Sequence, residues 1–155
     1  MAALLRKPKA KAGAEDSDRA RPLVLVTDDD EDMRFLFRTM LAIRGYAVIE
    51  AADGLEAVRL AESARPDLIL MDGSLPRLDG LAATRRIREL GQRAGRVPIV
   101  FISGDDEPAS RAVACEAGCD EYLLKPLGLK QLGGVVEKHL GWAAPAPTLE
   151  SGEGV

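Results

Sequence analysis

The chain has few of the residues that build most metal and nucleophilic sites: in 155 residues there are two cysteines, one histidine and one tryptophan, and aromatics make up 4%. A single histidine excludes a histidine-based metal cluster. The two cysteines, in "CEAGC" (115–119), have neither the spacing nor the partners of a four-ligand zinc site, and they read as small packing residues. His139 falls late in a helical pattern, far from any acidic cluster, and carries no catalytic expectation. Long hydrophobic runs are missing as well. No stretch approaches the roughly 18 apolar residues of a membrane span, and "MAALLRKPKAKAG" lacks the continuous apolar core of a secretory signal. A cytoplasmic protein without membrane contact is the expectation. There is also no "GxxxxGK[ST]" or kinase-type glycine loop, so the chain is not expected to phosphorylate itself from a nucleotide.

What is present suits one globular domain: 46% hydrophobic and 30% charged residues in a length that can bury a sizeable core. Charge is placed unevenly. Residues 1–22 carry six basic and three acidic side chains, whereas residues 23–155 carry fifteen and twenty-two. An acidic body argues against nucleic-acid binding, and nothing reads as a helix-turn-helix or another DNA-binding domain. Residues 1–21 are expected to form a disordered, mildly basic tail, residues 22–141 the folded domain, and residues 142–155 a flexible tail whose Trp142 docks on the last helix.

From Leu23 onward, short apolar runs alternate with longer amphipathic segments. "LVLVT" (23–27), "AVIEA" (47–51), "LILM" (68–71), "IVFI" (99–102) and "EYLL" (121–124) are the strand candidates. Between and after them, Met33, Leu36, Phe37, Met40 and Leu41 mark a first helix starting near Met33. Ala57, Leu60, Ala61 and Ala64 mark a second; Ala83, Ile87 and Leu90 mark a third ending near Gly91 or Gly95. Ala109, Ala112, Val113 and Ala117 mark a fourth, closed by Gly118. Leu129, Leu132, Val136 and Leu140 mark a fifth, weakened at Gly133 and Gly134 by roughly 1 kcal/mol per glycine relative to alanine. Alternation of this kind predicts an α/β fold, (βα)5, doubly wound around a central five-stranded parallel sheet. In such sheets ligands bind beyond the carboxyl ends of the strands.

At that rim the candidates converge. The first strand runs into "DDDED", the third into Asp72, the fourth into Ser103-Gly104 and the fifth into Lys125-Pro126. Carboxylates within about 4 Å repel by roughly 4 kcal/mol per pair at an effective dielectric near 20, and a divalent cation and a lysine are the natural compensation. Hard, partly open oxygen ligands suit Mg²⁺, with Mn²⁺ able to substitute. The acids thus point to a magnesium-dependent phosphate site, with Ser103 and Lys125 as partners for phosphoryl oxygens. Asp72 is the best acceptor, because a nucleophilic aspartate must stand free of capping duty at the end of a rigid strand, and "GS" beyond it leaves room for a phosphate. Asp30 reads as a helix cap or a solvated residue.

"VLVTDDDEDMR", "LILMDGSLPRLDG", "IVFISG" and "EYLLKPL", in that order and spacing, resemble the receiver domains of two-component response regulators, CheY-like and flavodoxin-like in fold, over essentially all of residues 22–141. The resemblance implies strand order 2-1-3-4-5 and Asp72 as phosphoacceptor. It implies Asp29 as a direct Mg²⁺ ligand, Asp28 as a ligand mainly through water, and the Ser74 backbone carbonyl as a further contact beside Asp72. Ser103 and Lys125 would hold phosphoryl oxygens, Lys125-Pro126 would be a cis peptide, and Tyr122 would be the aromatic switch residue. Ser74 and Asp105 stand where such proteins tune the lifetime of the phosphoryl group. The chain departs from the family pattern at Thr27, Gly104 and Gly128, none of which removes a reacting group.

Such a domain is a phosphorylated signalling module that assists its own aspartyl chemistry; it is not an enzyme acting on an outside substrate. The expected donor is a histidine kinase or histidine phosphotransfer protein. The expected output is contact with a downstream protein target through helix four, strand five and helix five, by a monomer or weak dimer. A stand-alone receiver is the first reading, a piece of a larger regulator the second. Two rivals remain: a receiver-like interaction module that acts without phosphorylation, and an aspartate-nucleophile phosphatase using Asp28 with Asp30 as acid/base.

Overall fold

Five short apolar runs become five parallel strands in the computed structural model, which describes residues 21–141. They are β1 (Leu23–Thr27), β2 (Ala47–Ala51), β3 (Leu68–Asp72), β4 (Ile99–Ser103) and β5 (Glu121–Leu124). The strands lie in the order β2-β1-β3-β4-β5. Five helices link or follow them: α1 (Glu31–Ile43), α2 (Gly54–Ala64), α3 (Gly80–Arg88), α4 (Pro108–Ala117) and α5 (Leu129–Leu140), with a short 3-10 turn at Ala94–Arg96. This is the (βα)5 order, and the strand order, that the sequence and its resemblance predict. The two tails and Trp142 lie outside the described residues.

The central strand is the most apolar and the most deeply placed. Every residue of β3 from Leu68 to Asp72 is buried. Its alternate side chains feed two cores: Leu68 and Leu70 pack with Phe37, Leu41, Leu132 and Val136 on the face covered by α1 and α5. Ile69 and Met71 pack with Ala57, Ala61, Ala83, Ile87 and Ala114 on the face covered by α2, α3 and α4. The helices contribute mainly alanine to this second face, with Ile87 as the larger side chain.

Acids at helix starts have a defined task. Asp30, Asp53 and Asp79 accept from the backbone N–H groups of Asp32 (3.0 Å), Glu56 (2.8 Å) and Ala82 (2.8 Å), capping α1, α2 and α3. Gly80 follows the third cap, and a Cβ there would meet the Asp72 carbonyl oxygen at 2.3 Å, so the β3–α3 loop closes against the end of β3 only with glycine at this position. The last two helices begin differently, α4 with Pro108 at its first turn and α5 at Gly128, neither with a side-chain cap.

Several helical expectations need correction. α1 begins two residues before Met33, because Asp30 caps it, and α3 stops at Arg88, short of either glycine. In α4 the buried residues are Ala114 and Ala117; Ala109, Ala112 and Val113 are exposed, since small side chains carry little periodic signal. Leu36 and Leu129 also face solvent. Of the two cysteines only Cys119 packs inside; Cys115 is exposed.

One side chain ties the α3 end to two neighbouring segments. Arg88 donates to the carbonyl oxygens of Gly118 (2.9 Å), Gly95 (3.2 Å) and Val97 (2.7 Å) and pairs with Asp120 (2.9 Å). Asp120 in turn accepts from the N–H of Ile99 at 2.8 Å. Replacing Arg88 with alanine is expected to lower the unfolding free energy by about 2–3 kcal/mol, read from urea denaturation; a change below about 0.5 kcal/mol would show the network to be incidental.

Candidate functional site

The in-register sheet decides what meets at the carboxyl rim. Thr27 of β1 lies opposite Met71 of β3, and Asp72 lies opposite Ile102 of β4. Asp28 therefore follows β1 at the level of Asp72, and Ser103, opposite Leu124, ends β4 beside them. Asp28 and Asp72 are buried, Asp29 is exposed, and one carboxylate oxygen from each lies within 4.8 Å of the others. Lys125 reaches across from the end of β5 and places Nζ 2.9 Å from Asp72 Oδ1. Its peptide bond to Pro126 is cis, and its N–H donates to the Ser103 carbonyl at 2.9 Å.

Two openings adjoin this cluster. A cleft of about 650 Å³ is lined by Asp28, Asp29, Asp72, Ser74, Lys125 and Pro126 among others. A second, of about 430 Å³, runs from Asp72, Gly73 and Ser74 past Ser103 and Lys125 to Asp105, Ser110 and Tyr122. Asp72 and Lys125 line both, so the buried carboxylate stands between an acidic opening and a hydroxyl-bearing one.

The charge at this rim is not balanced by the protein. Burial, and after it the neighbouring charges of Asp72 and Asp29, push the Asp28 carboxyl up to about 6, although its Oδ1 accepts the Asp30 N–H at 2.9 Å. Lys125 loses charge preference through burial but more than regains it from its bond to Asp72, so its ammonium is held above its usual range. One cation faces three carboxylates. Oxygen donors of this kind, few and partly open, fit a hard divalent ion that keeps part of its water shell.

The acidic loop is braced by residues that the sequence did not single out. Arg34, one turn into α1, donates to the Asp28 carbonyl at 2.8 Å and to Glu50 Oε1 of β2 at 2.9 Å. Glu50 also pairs with Arg38. Burial pushes the Glu50 carboxyl up, and the two arginines more than offset it, leaving it below the usual range. The signal was faint: an arginine in "DMRFLFR" reads as the polar face of a helix. Thr27, noted as a departure, is buried beside the acids, and its Oγ1 has no protein partner among the described residues.

The remaining expected residues fall along the second cleft. The Ser103 hydroxyl oxygen accepts the Asp105 N–H at 3.0 Å, which leaves its proton free to donate. Asp105 is exposed; hydrogen bonds from Ser110 and the Glu107 N–H hold its carboxyl low. Ser74 is exposed, and its N–H donates to Asp72 Oδ1 at 3.2 Å. Tyr122 is turned inward. Its hydroxyl donates to the Asp105 carbonyl at 2.6 Å, its ring stacks on Phe101 with centroids 5.7 Å apart, and the Arg111 guanidinium lies over the ring, 4.8 Å from its centroid.

Comparison with known proteins agrees with this geometry. A family model described as the response regulator receiver domain matches residues 24–137. A response regulator, MprA of Mycobacterium bovis, is 37% identical over 128 residues, covering 83% of this chain and 54% of that protein. The chain thus spans about half the length of the curated relatives it matches. Among solved structures, the receiver domain of sensor histidine kinase PA1611 from Pseudomonas aeruginosa has a magnesium ion coordinated in its active-site cleft. It is 36% identical, with a TM-score of 0.71 over 79% of this chain and 99% of that one. The Vibrio cholerae chemotaxis protein CheY4 is 28% identical, with a TM-score of 0.73 over 77% and 99%. No helix among the described residues is long and apolar enough to cross a membrane.

The raised Asp28 carboxyl makes a signed prediction. Between about pH 4 and 6 the folded protein takes up a proton that the unfolded chain gives up, so this group's contribution to stability is full in acid and is lost as pH rises through about 6. In chelator-containing buffer near neutral pH, Asp28→Asn should be more stable than the parent by about 1–3 kcal/mol in urea denaturation, and should gain less from added Mg²⁺. A less stable variant would show that Asp28 is compensated inside the protein.

Proposed function

Because the chain belongs to the response regulator receiver domain family, we propose that it is a phosphoacceptor in two-component or phosphorelay signalling and that Asp72 takes the phosphoryl group from a partner phosphohistidine. The observation that carries this reading is the Asp72 carboxylate: it is fixed at the end of the most buried strand, 2.9 Å from Lys125, between two open clefts, and has no capping duty. Asp72 Oδ1 accepts from Lys125 and from the Ser74 N–H. Oδ2 is then the oxygen that attacks phosphorus, and the donor's N–P bond breaks as the O–P bond forms.

Asp28, Asp29 and Asp72, with the Ser74 carbonyl, are the residues that would hold Mg²⁺, and the ion when bound supplies positive charge that offsets the phosphoryl oxygens. Lys125 moves from a carboxylate oxygen toward a phosphoryl oxygen, a short change of partner for a long flexible ammonium. Ser103 donates its free hydroxyl proton to another. Its oxygen still accepts the Asp105 N–H, so a shift of Ser103 toward the phosphoryl group draws with it the loop whose Asp105 carbonyl holds the Tyr122 hydroxyl. Phosphorylation thereby reaches the α4–β5–α5 face through Ser103, Asp105 and Tyr122, and a downstream protein target reads that face.

The phosphatase reading is disfavoured because Asp30, its acid/base, is occupied as the α1 cap. The donor is a histidine kinase or histidine phosphotransfer protein, and a cytoplasmic setting suits that chemistry.

Incubation with a small phosphodonor and Mg²⁺, followed by intact-mass measurement, is expected to add one phosphoryl group to the parent chain, with Asp72→Asn unlabelled and Lys125→Ala labelled at least about tenfold more slowly, the scale of one lost charge-assisted contact. Undiminished labelling of Asp72→Asn would remove Asp72 from the proposal.

A further inference from the structure

One side of α1 is apolar and open. Leu36, Met40 and Ile43 follow one another at spacings of four and three residues, which stacks them in one row down the helix. Leu36 is 41% and Ile43 61% exposed, and Met40 is half-buried against the core. The row does not face β2, because Arg34 and Arg38 occupy that side of the helix and pair with Glu50. It faces α5, against which α1 packs.

α5 meets it with a matching row. Leu129 is 38% exposed, Gly133 has no side chain, and Leu140 packs on the same core as Met40. Lys138 and His139, which pair with Glu121 of β5, lie on the other side of α5. At Gly133 the two helices come together over the Arg44 side chain, whose Cζ lies 2.6 Å from where a Cβ would stand. The two rows form an apolar seam. Both helices follow a parallel strand and run back from the carboxyl rim, so the seam starts beside Met33, part of the wall of the larger cleft, and ends beside Ile43 and Leu140.

The chain leaves α5 at that far end. Gly141, at φ 58°, closes the helix in a left-handed conformation with its N–H bonded to the Glu137 carbonyl at 2.7 Å, which turns the chain off the helix axis. The six residues that follow, "WAAPAP" (142–147), carry no charge in a chain that is 30% charged, and they include its one tryptophan. Alternating alanine and proline favours an extended polyproline form of about 3.1 Å per residue, so six residues reach about 19 Å. The 12 residues of α5 span about 18 Å. Proline also brings no N–H that an apolar seam would leave unpaired.

We propose that residues 142–147 dock along the α1–α5 seam, with Trp142 covering Ile43 and Leu140 and the proline-containing part reaching toward Leu36. Tethering favours this occupant over a free one. A segment attached at the end of its own groove is present at an effective concentration on the order of millimolar, so a modest contact suffices. A second copy of the chain, or a separate protein, lacks that advantage. On the reading that a phosphorylated protein donor reaches Asp72 through the larger cleft, the docked segment borders the way in and has to yield. The docking itself does not depend on that reading.

Because Trp142 is the chain's one tryptophan, its fluorescence reports on this segment alone. The test compares the full chain with the free peptide WAAPAP. In the chain, Trp142 is expected to emit to the blue of the peptide and to be quenched by acrylamide at least about twofold less, the protection of a segment docked half of the time or more. Leu36→Lys and Ile43→Lys, both at exposed positions, should each return emission and quenching to the peptide's values while keeping the parent's cooperative urea transition in circular dichroism. Phe35→Lys, at a position 56% exposed on α1 but off the row, should change neither. Peptide-like emission in the parent chain, protection that survives both seam variants, or protection lost on dilution, which would assign the seam to a second copy, would overturn the proposal. None of these readouts involves Asp72, so failure here is distinguishable from failure of phosphoacceptance.

Discussion

Repulsion among Asp28, Asp29 and Asp72 is the constraint around which the rim of this sheet is built. Oxygens within 4.8 Å of one another repel by about 3 kcal/mol per pair at an effective dielectric near 20, and one ammonium, Lys125, stands against all three. The fold holds the cluster by fixing its backbone: β3 is buried along its whole length, Arg34 holds the Asp28 carbonyl, and the Lys125 N–H is bonded to β4. Burial first, and the neighbouring charges after it, raise the Asp28 carboxyl to about 6, and oxygens so placed suit a hard cation. On the proposed reading, a cation and a phosphoryl group supply what this site lacks.

Several other acids among the described residues have structural tasks. Asp30, Asp53 and Asp79 cap helices, Asp120 joins Arg88 to β4, and Asp105 organises the β4–α4 loop through Glu107 and Ser110. Asp105 also links the rim to the surface, since its N–H meets Ser103 and its carbonyl meets Tyr122. The inward tyrosine, in contact with Phe101 and Arg111, gives the α4–β5 face a packed conformation tethered by a hydrogen bond to that loop.

Much of this was legible in the residues. Parallel strands buried on both faces are nearly continuous apolar runs, so all five strands were found to within a residue, and acids placed at strand ends identified the rim. The resemblance added what spacing cannot carry: the strand order and the cis bond before Pro126. The rest escaped for physical reasons. α4 is built mainly from small and polar residues, so its buried face, Ala114 and Ala117, leaves no pattern. Arg34 and Arg111 act through backbone carbonyls and a ring face, contacts made by tertiary placement that are invisible in a helical repeat.

The central claim is that the three carboxylates form one cation-assisted acceptor site with Asp72 as its reacting member. A crystal structure of the chain grown with beryllofluoride and Mg²⁺ tests it most directly. The account predicts beryllium bonded to an Asp72 oxygen, a magnesium ion touching Asp29 and the Ser74 carbonyl, and Lys125 and Ser103 on the fluorides. An adduct on Asp28, or a magnesium ion bound away from all three acids, would contradict it.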